Sequence, residues 1–341
     1  RRIAAPAFAI CVAALAALAS PTATAHAQGV GTLALADSFR YGTGVWEPDS
    51  LGNHRAVLRV ATATDAVFAR IPWRRRDLAP DKVDAIVIDA QTNQRVRNVA
   101  RVDINRDYGD FVFQAATAGE YHVYYLPYTG TFKSNYPKIT YRAVEQTADA
   151  AWLERHSLGA GGARSQAFRS FPAATMIGFD AANEFSRFTP MEYIASVAER
   201  DALRLQNPAA AFLAFAEDRS LSIRMTGDIP RVWAARGAFR AFTGEAKRGE
   251  FYTFQIGVWA HRSAVDSLRY RASAFRRRGG SDSIPASSVT AFNLEGTDWS
   301  GQRFGRPLRV DSGKVQPLWF GVDVPARATP GNYEGRITLS S

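Results

Sequence analysis

Between His54 and Tyr141 the chain runs in short apolar stretches, each closed by a turn former. Runs of this length are too short for packed helices and confine the segment to antiparallel sheets. Asp110-Phe111-Val112-Phe113 and Tyr121-His122-Val123-Tyr124-Tyr125-Leu126 are β-branched and aromatic, which suits a pleated, half-buried surface. Asn105 to Gly109 and Ala118-Gly119 supply turns between them. The pattern predicts strands over 54–60, 66–71, 83–89, 96–104, 110–114 and 120–126, and so an antiparallel β-sandwich.

The pattern breaks after Tyr141 and resumes beyond Ala211. Residues 157–170 are rich in Gly, Ala, Ser and Arg, the composition of a connection. Thr189-Pro190-Met191-Glu192 carries a cap residue, a proline fit for the first turn and a glutamate that can reach back, which predicts a helix over about 190–206. Ile194, Val197, Ala198, Ala202 and Leu205 would share its apolar face, and Asn207-Pro208 would stop it. Further strands are predicted over 221–225, 231–235, 251–260, 267–275, 289–294, 315–322 and 333–339. Phe251 to Trp259 alternates over nine positions and is the clearest strand of all. Thr329-Pro330-Gly331-Asn332 places a turn before the last strand, as in the closing hairpin of Ig-like sandwiches. The fold expected is mainly β, with two antiparallel Ig-like β-sandwiches, 28–145 and 210–341, joined by a linker with a helix, 146–209.

The start of the chain reads differently. Arg1-Arg2, an apolar run and Ala25-His26-Ala27 before Gln28 have the three parts of a secretory signal peptide, residues 1–27. Pro6 interrupts the run, which is too short to span a bilayer comfortably, so no membrane span is expected. The protein is therefore expected to be exported, to the periplasm or the cell exterior. Its single cysteine, Cys11, falls inside this segment, so stability has to come from core burial rather than disulfides.

The formal charge of +10 invites a nucleic-acid reading, but two of the positive charges are Arg1 and Arg2. The rest is arginine spread along the whole chain, with only five lysines, and no nucleic-acid partner is expected. Two clusters stand out. Arg276-Arg277-Arg278 runs into Gly279-Gly280-Ser281-Asp282 and reads as a solvated turn. Arg74-Arg75-Arg76 lies between Trp73 and Asp77 and reads either as part of a sugar-binding surface or as an interdomain ion-pair cluster.

No phosphate-cradling, dinucleotide-binding, zinc-protease or nucleophile-elbow pattern occurs, so no cofactor and no metal is expected. His54, His122, His156 and His261 are scattered. Glu217 with Asp218, and Glu295 with Asp298, are the nearest acid pairs that could face each other across a cleft. Sugar rings stack on exposed aromatic rings while planar polar groups hold their hydroxyls. On that ground Asn293 to Gly301, with Glu295, Asp298 and Trp299, is the candidate substrate-binding loop. The alternative is that Trp299 plugs the end of a sandwich.

Seven segments in order resemble the N-terminal region of secreted bacterial proteins related to glycoside hydrolase family 123. They are Ile71 to Asp77, Val87 to Gln91, Gly119 to Tyr128, Phe188 to Glu192, Glu217 to Arg219, Glu250 to Val258 and Gly296 to Trp299. The resemblance implies a β-sandwich module placed before a (β/α)-barrel catalytic domain that cleaves N-acetylgalactosaminides. In that family an Asp-Glu pair of the barrel works with the substrate's own acetamido group. No catalytic residue is then expected in these 341 residues, and the barrel would be an intramolecular partner downstream. The expected function is a non-catalytic N-terminal region of a secreted glycoside hydrolase with a glycan partner. A stand-alone carbohydrate-binding module and an extracellular adhesin or scaffold are the alternatives.

Overall fold

The computed structural model describes residues 7–12, 40–131, 138–159 and 167–341. Two compact units result, one of residues 34–189 and one of residues 190–341 together with the strand Ala7–Val12.

In the first unit a six-stranded sheet runs Arg40–Thr43, Thr175–Ala181, His54–Val60, Gly119–Tyr124, Ile86–Asp89, Gln94–Arg95. A three-stranded sheet of Thr64–Ile71, Gly109–Ala115 and Val99–Ile104 faces it. Aromatic rings bridge the two layers. Phe113 meets Tyr121 at 5.1 Å between centroids, and Trp73 lies 5.7 Å from Phe111 and 5.5 Å from Tyr125. The outer face of the smaller sheet is covered too, because Ala66, Ala100 and Val112 pack under Trp152 and Phe168. Trp152 comes from the helix Ala150–Arg155, whose cap Asp149 accepts from the Ala151 N–H at 2.8 Å.

The segment read as a linker from its composition therefore contributes to this unit. Its Gly and Ser content masks Trp152, Phe168 and Phe179, three buried aromatic residues. Thr175–Ala181 becomes an inner strand, antiparallel to His54–Val60 and parallel to Arg40–Thr43.

The second unit repeats the plan. Leu213–Asp218, Phe251–Trp259, Val315–Asp323 and Val289–Ala291 form one sheet in that order. The other contains Phe242–Glu245, Ala7–Val12, Tyr333–Ser340, Val265–Ala272 and Leu308–Val310. Tyr252, Phe254, Ile256 and Val258 alternate toward the space between the sheets, where Leu268, Phe275, Ile337 and Leu339 meet them. Each such aromatic or aliphatic side chain contributes about 1.5–3 kcal/mol by leaving water. Ala7–Val12, inside the predicted signal peptide, pairs antiparallel with Phe242–Glu245 and parallel with Tyr333–Ser340. The rest of that peptide, with its cleavage site, lies outside the described residues.

Two predicted elements differ. The stretch predicted as a strand over 231–235 is the helix Arg231–Arg236. Pro230 precedes it and Gly237, at φ 83°, closes it by donating to the Trp233 carbonyl, which are helix signals that outweigh the β-branched and aromatic side chains. The residues 221–225 pair with no strand. They lie across the sheet instead, with the Ile223 N–H donating to the Gln255 side chain at 2.9 Å. Their alternation reported burial of Ile223 and Met225 and not a ladder.

The connecting helix also starts later than the sequence suggests, at Val197–Gln206. Ser196 and Glu199 form a reciprocal capping box there, a stronger start than Thr189-Pro190 because both orphan backbone donors find partners. Leu203, Met191 and Trp233 cover the outer face of the sheet, and Trp233 stacks on Phe215 at 4.4 Å. This contact requires Gly257, since a Cβ there would sit 2.1 Å from the Trp233 ring. Gly257→Ala should lower the unfolding free energy by about 1–3 kcal/mol through overpacking, read from the urea midpoint.

Candidate functional site

The strand Val265–Ala272 pairs with Leu308–Val310 through Val265 with Val310 and Leu268 with Leu308, and a bulge separates the two. Ser267 sits in that bulge with φ 55°. Before Leu308 comes Pro307, which has no N–H and ends the ladder. The chain leading up to it stands away as a hairpin of Glu295–Thr297 and Arg303–Gly305. A cavity of about 330 Å³ opens at the hairpin's root, where Leu268, Arg269, Tyr270, Glu295, Arg306 and Pro307 line it.

Tyr270 and Glu295 form the polar floor of this cavity. The tyrosine hydroxyl donates to the Glu295 carboxylate and also reaches the Val289 carbonyl at 3.4 Å. Burial, then the adjoining carboxylate, push the phenol well above its usual range, so it stays a donor at any physiological pH. Pro307 supplies the apolar wall, and beneath the cavity Leu268 and Leu294 belong to the core of the sandwich.

The hairpin's tip is built by Asp298. Its Oδ1 accepts from the Ser300 N–H at 2.9 Å, the Ser300 hydroxyl at 2.7 Å and the Gln302 N–H at 3.0 Å, while Gly301 takes φ 84°. These bonds, the Ser300 hydroxyl first, hold its pKa below the usual carboxylate range. Asp298 is thus a turn former. Trp299, next along, is 99% exposed, so it plugs no sandwich end. Glu295 and Trp299 share the hairpin but stand four residues apart, Glu295 in the strand Glu295–Thr297 and Trp299 in the turn that follows. Arg269, Tyr270 and Arg306 were not singled out in the sequence. Pro307, as a strand breaker before Leu308, is the signal that could have pointed to them.

The other acid pair does not meet across a cleft. Glu217 and Asp218 are successive strand residues, and their side chains leave on opposite faces. Glu217 is buried and accepts from Trp233 Nε1 at 2.7 Å and from Arg236. Asp218 accepts from the Tyr252 hydroxyl at 2.9 Å and from Ser220. Both serve to hold the helix and the edge of the sheet.

Each of the four histidines among the described residues has a packing partner. His54 stacks on Phe188 at 4.0 Å and donates to the Ser186 carbonyl. His156 pairs with Asp65 at 2.7 Å, and His261 donates to the Ala210 carbonyl. His122 accepts at Nδ1 from Arg55, whose guanidinium also grips Asp180 at 3.0 Å. Among the described residues no three His, Cys, Asp or Glu side chains gather as a metal site would need.

Arg75 is buried over the Trp73 ring at 4.7 Å and bonds Asp77 twice, at 2.8 and 2.7 Å. Trp73 Nε1 donates to the Asn105 carbonyl. The cluster is an anchor inside the first unit, so the interdomain ion-pair reading gives way to one within a single unit. Arg277 closes the second arginine cluster's turn on Asp282 at 3.4 Å.

Comparison with known proteins adds a family to this geometry. Residues 44–182 match the family model of the glycoside hydrolase 123 N-terminal domain. The match spans most of the first unit and bears out the resemblance read from the sequence. Among solved structures, a family 123 glycoside hydrolase from Clostridium perfringens is 21% identical, with a TM-score of 0.22. That alignment covers 27% of this chain and 18% of the clostridial one. A vicilin from Solanum melongena aligns over 85% of this chain and 78% of its own at 9% identity and a TM-score of 0.14. Scores this low carry no argument about fold, which rests on the strand pairing above. No curated protein matches the chain.

His122 makes a pH prediction. Burial, then the Arg55 charge, push it down to about 4, with Glu120 and Asp180 opposing and Arg40 adding to the shift. Its folded pKa lies below the unfolded value near 6.5, so the unfolded chain takes up the proton first. Stability should fall as pH drops from 6.5 toward 4. His122→Gln, which keeps an acceptor for Arg55, should flatten this part of the profile of urea midpoint against pH.

Proposed function

We propose that this chain is the non-catalytic N-terminal β-sandwich region of a secreted glycoside hydrolase. The observation that carries the reading is the match of residues 44–182 to an N-terminal domain of a glycoside hydrolase family. In this reading the hydrolysing unit is a (β/α)-barrel on the same polypeptide that acts on N-acetylhexosaminides, and the sandwiches support it. The acid pairs fit such a supporting role. Glu217 and Asp218 are tied to Trp233, Arg236 and Tyr252, and Asp298 is tied into its own turn, so neither pair is placed as acid and base on one bond. Export would follow from the signal peptide at residues 1–27, and its removal would take the strand Ala7–Val12 from between Phe242–Glu245 and Tyr333–Ser340. None of the helices in the described residues is long and apolar enough to cross a membrane.

Two measurements test this reading. The purified chain should release no nitrophenol from aryl N-acetylgalactosaminides or aryl N-acetylglucosaminides, and turnover abolished by Glu217→Gln or Glu295→Gln would overturn it. Produced in a bacterial host, the exported chain should begin at Gln28 by mass spectrometry, and retention of residues 1–27 in the exported protein would refute the export reading.

A second reading is favoured by one specific observation, the 99% exposure of Trp299 on a hairpin beside a polar cavity. An indole offered to solvent on the same hairpin that carries Glu295 is the equipment of a glycan-contact surface. Trp299→Ala should leave the unfolding free energy within about 0.5 kcal/mol. The same variant should abolish any glycan binding measured by calorimetry, and unchanged binding would remove the hairpin from consideration.

A further inference from the structure

The cavity at the hairpin's root has a charge character that a neutral sugar does not need. Arg269 comes from the strand Val265–Ala272, and Arg306 from the turn between the hairpin and Pro307. Neither has a carboxylate partner among the described residues. Their neighbour Arg309 is different, since it pairs with both Asp266 and Asp311. Arg303, also exposed on the hairpin, has no carboxylate partner among the described residues either. Glu295 is the single acid lining the cavity, and it already accepts from Tyr270. The lining thus counts two arginines against one carboxylate, with Tyr270, Gly305 and Pro307 completing its accessible surface.

We propose that this cavity takes an anionic saccharide, a sugar unit carrying a carboxylate or a sulfate ester. The planar guanidinium fork matches both groups, which share geometry and charge. Arg269 and Arg306 hold the anionic group, and the free capacity of Glu295 accepts from ring hydroxyls. The apolar face of the ring rests on Pro307. A further unit of the same oligosaccharide extends along the hairpin toward Trp299 in its turn. The bulge at Ser267 and the break at Pro307 belong to this arrangement. Together they end the pairing of Val265–Ala272 with Leu308–Val310, and leave the edge at Arg269 and Tyr270 open to a ligand. The inference rests on the glycan-contact reading of the hairpin and adds the ligand's charge.

The test uses the whole chain and three oligosaccharides of equal length, an oligogalacturonate, a sulfated galactan fragment and a neutral galactan fragment, each titrated by calorimetry. At least one anionic ligand should bind about tenfold or more tightly than the neutral one. Binding of the uronate alone, or of the sulfated fragment alone, upholds the inference and names the anionic group. Arg269→Ala with Arg306→Ala should cost the anionic ligand about tenfold and leave the neutral one unchanged. Arg276→Ala with Arg278→Ala, on the other arginine cluster, controls for general charge and should change nothing. Equal loss in that control pair, or neutral binding as tight as anionic, would overturn the inference. Neutral binding lost in Trp299→Ala but indifferent to Arg269 and Arg306 would leave the glycan reading standing and sink the charge assignment. Silence from all three ligands would sink both. Circular dichroism and the urea midpoint show that each variant is folded.

Discussion

The second unit depends on one strand being buried on both faces. Phe251–Trp259 sends Tyr252, Phe254, Ile256 and Val258 into the space between the sheets, while Gln255, Gly257 and Trp259 meet the layer of helices and crossing chain on the other side. A strand in that position cannot carry an unpaired polar group. Gln255, fully buried, meets the requirement by accepting from the Ile223 N–H and donating toward the Asp218 carbonyl. Gly257 meets it by vanishing, since the Trp233 ring occupies the place a side chain would take. The order of the layers follows from those two residues: sheet, sheet, then helices held by Trp233 on Phe215.

The first unit solves the same problem with different chemistry. Its smaller sheet is covered on the outer face by Trp152 and Phe168, and on the inner face by rings that cross to Tyr121 and Tyr125. Charges at the margins are neutralised in place. Arg70 pairs with the fully buried Asp110, Arg55 with Asp180, and Arg75 with Asp77 over an indole. Removing one partner of such a pair leaves a buried charge, which costs far more than the pair itself contributes. Many of the arginines are therefore held in internal pairs, which cancel in the net charge of +10 and leave that excess on basic residues outside them. The arginines that remain without a carboxylate, Arg269 and Arg306 among them, are the informative ones.

Strand existence was legible because alternation and turn residues act locally. His54–Val60, Phe251–Trp259 and Tyr333–Ser340 lie where the period of two places them. Misreadings arose where local signals competed. Val232 and Trp233 suit a strand, yet Pro230 and Gly237 frame a helix, and backbone geometry outweighed side-chain preference. Residues 221–225 alternate because one face is buried, and burial on a flat surface gives the same period whether or not a neighbouring strand is present. The candidate loop was legible in part. Trp299 stood out as an aromatic residue in a polar turn, but Asp298 looks the same in sequence whether it meets a ligand or caps its own turn.

The sequence by itself determined that this is a β protein of alternating, turn-punctuated strands resembling a glycosidase's N-terminal region, because period, turn chemistry and motif order are carried by neighbouring residues. Only the tertiary structure decided which acids are free. It turned Glu217 and Asp218 to opposite faces, spent Asp298 on a turn, left Trp299 in solvent and set Glu295 against Tyr270, a residue 25 positions away. Partners that distant along the chain are chosen by strand order and by where Pro307 breaks a ladder, and no local pattern encodes them.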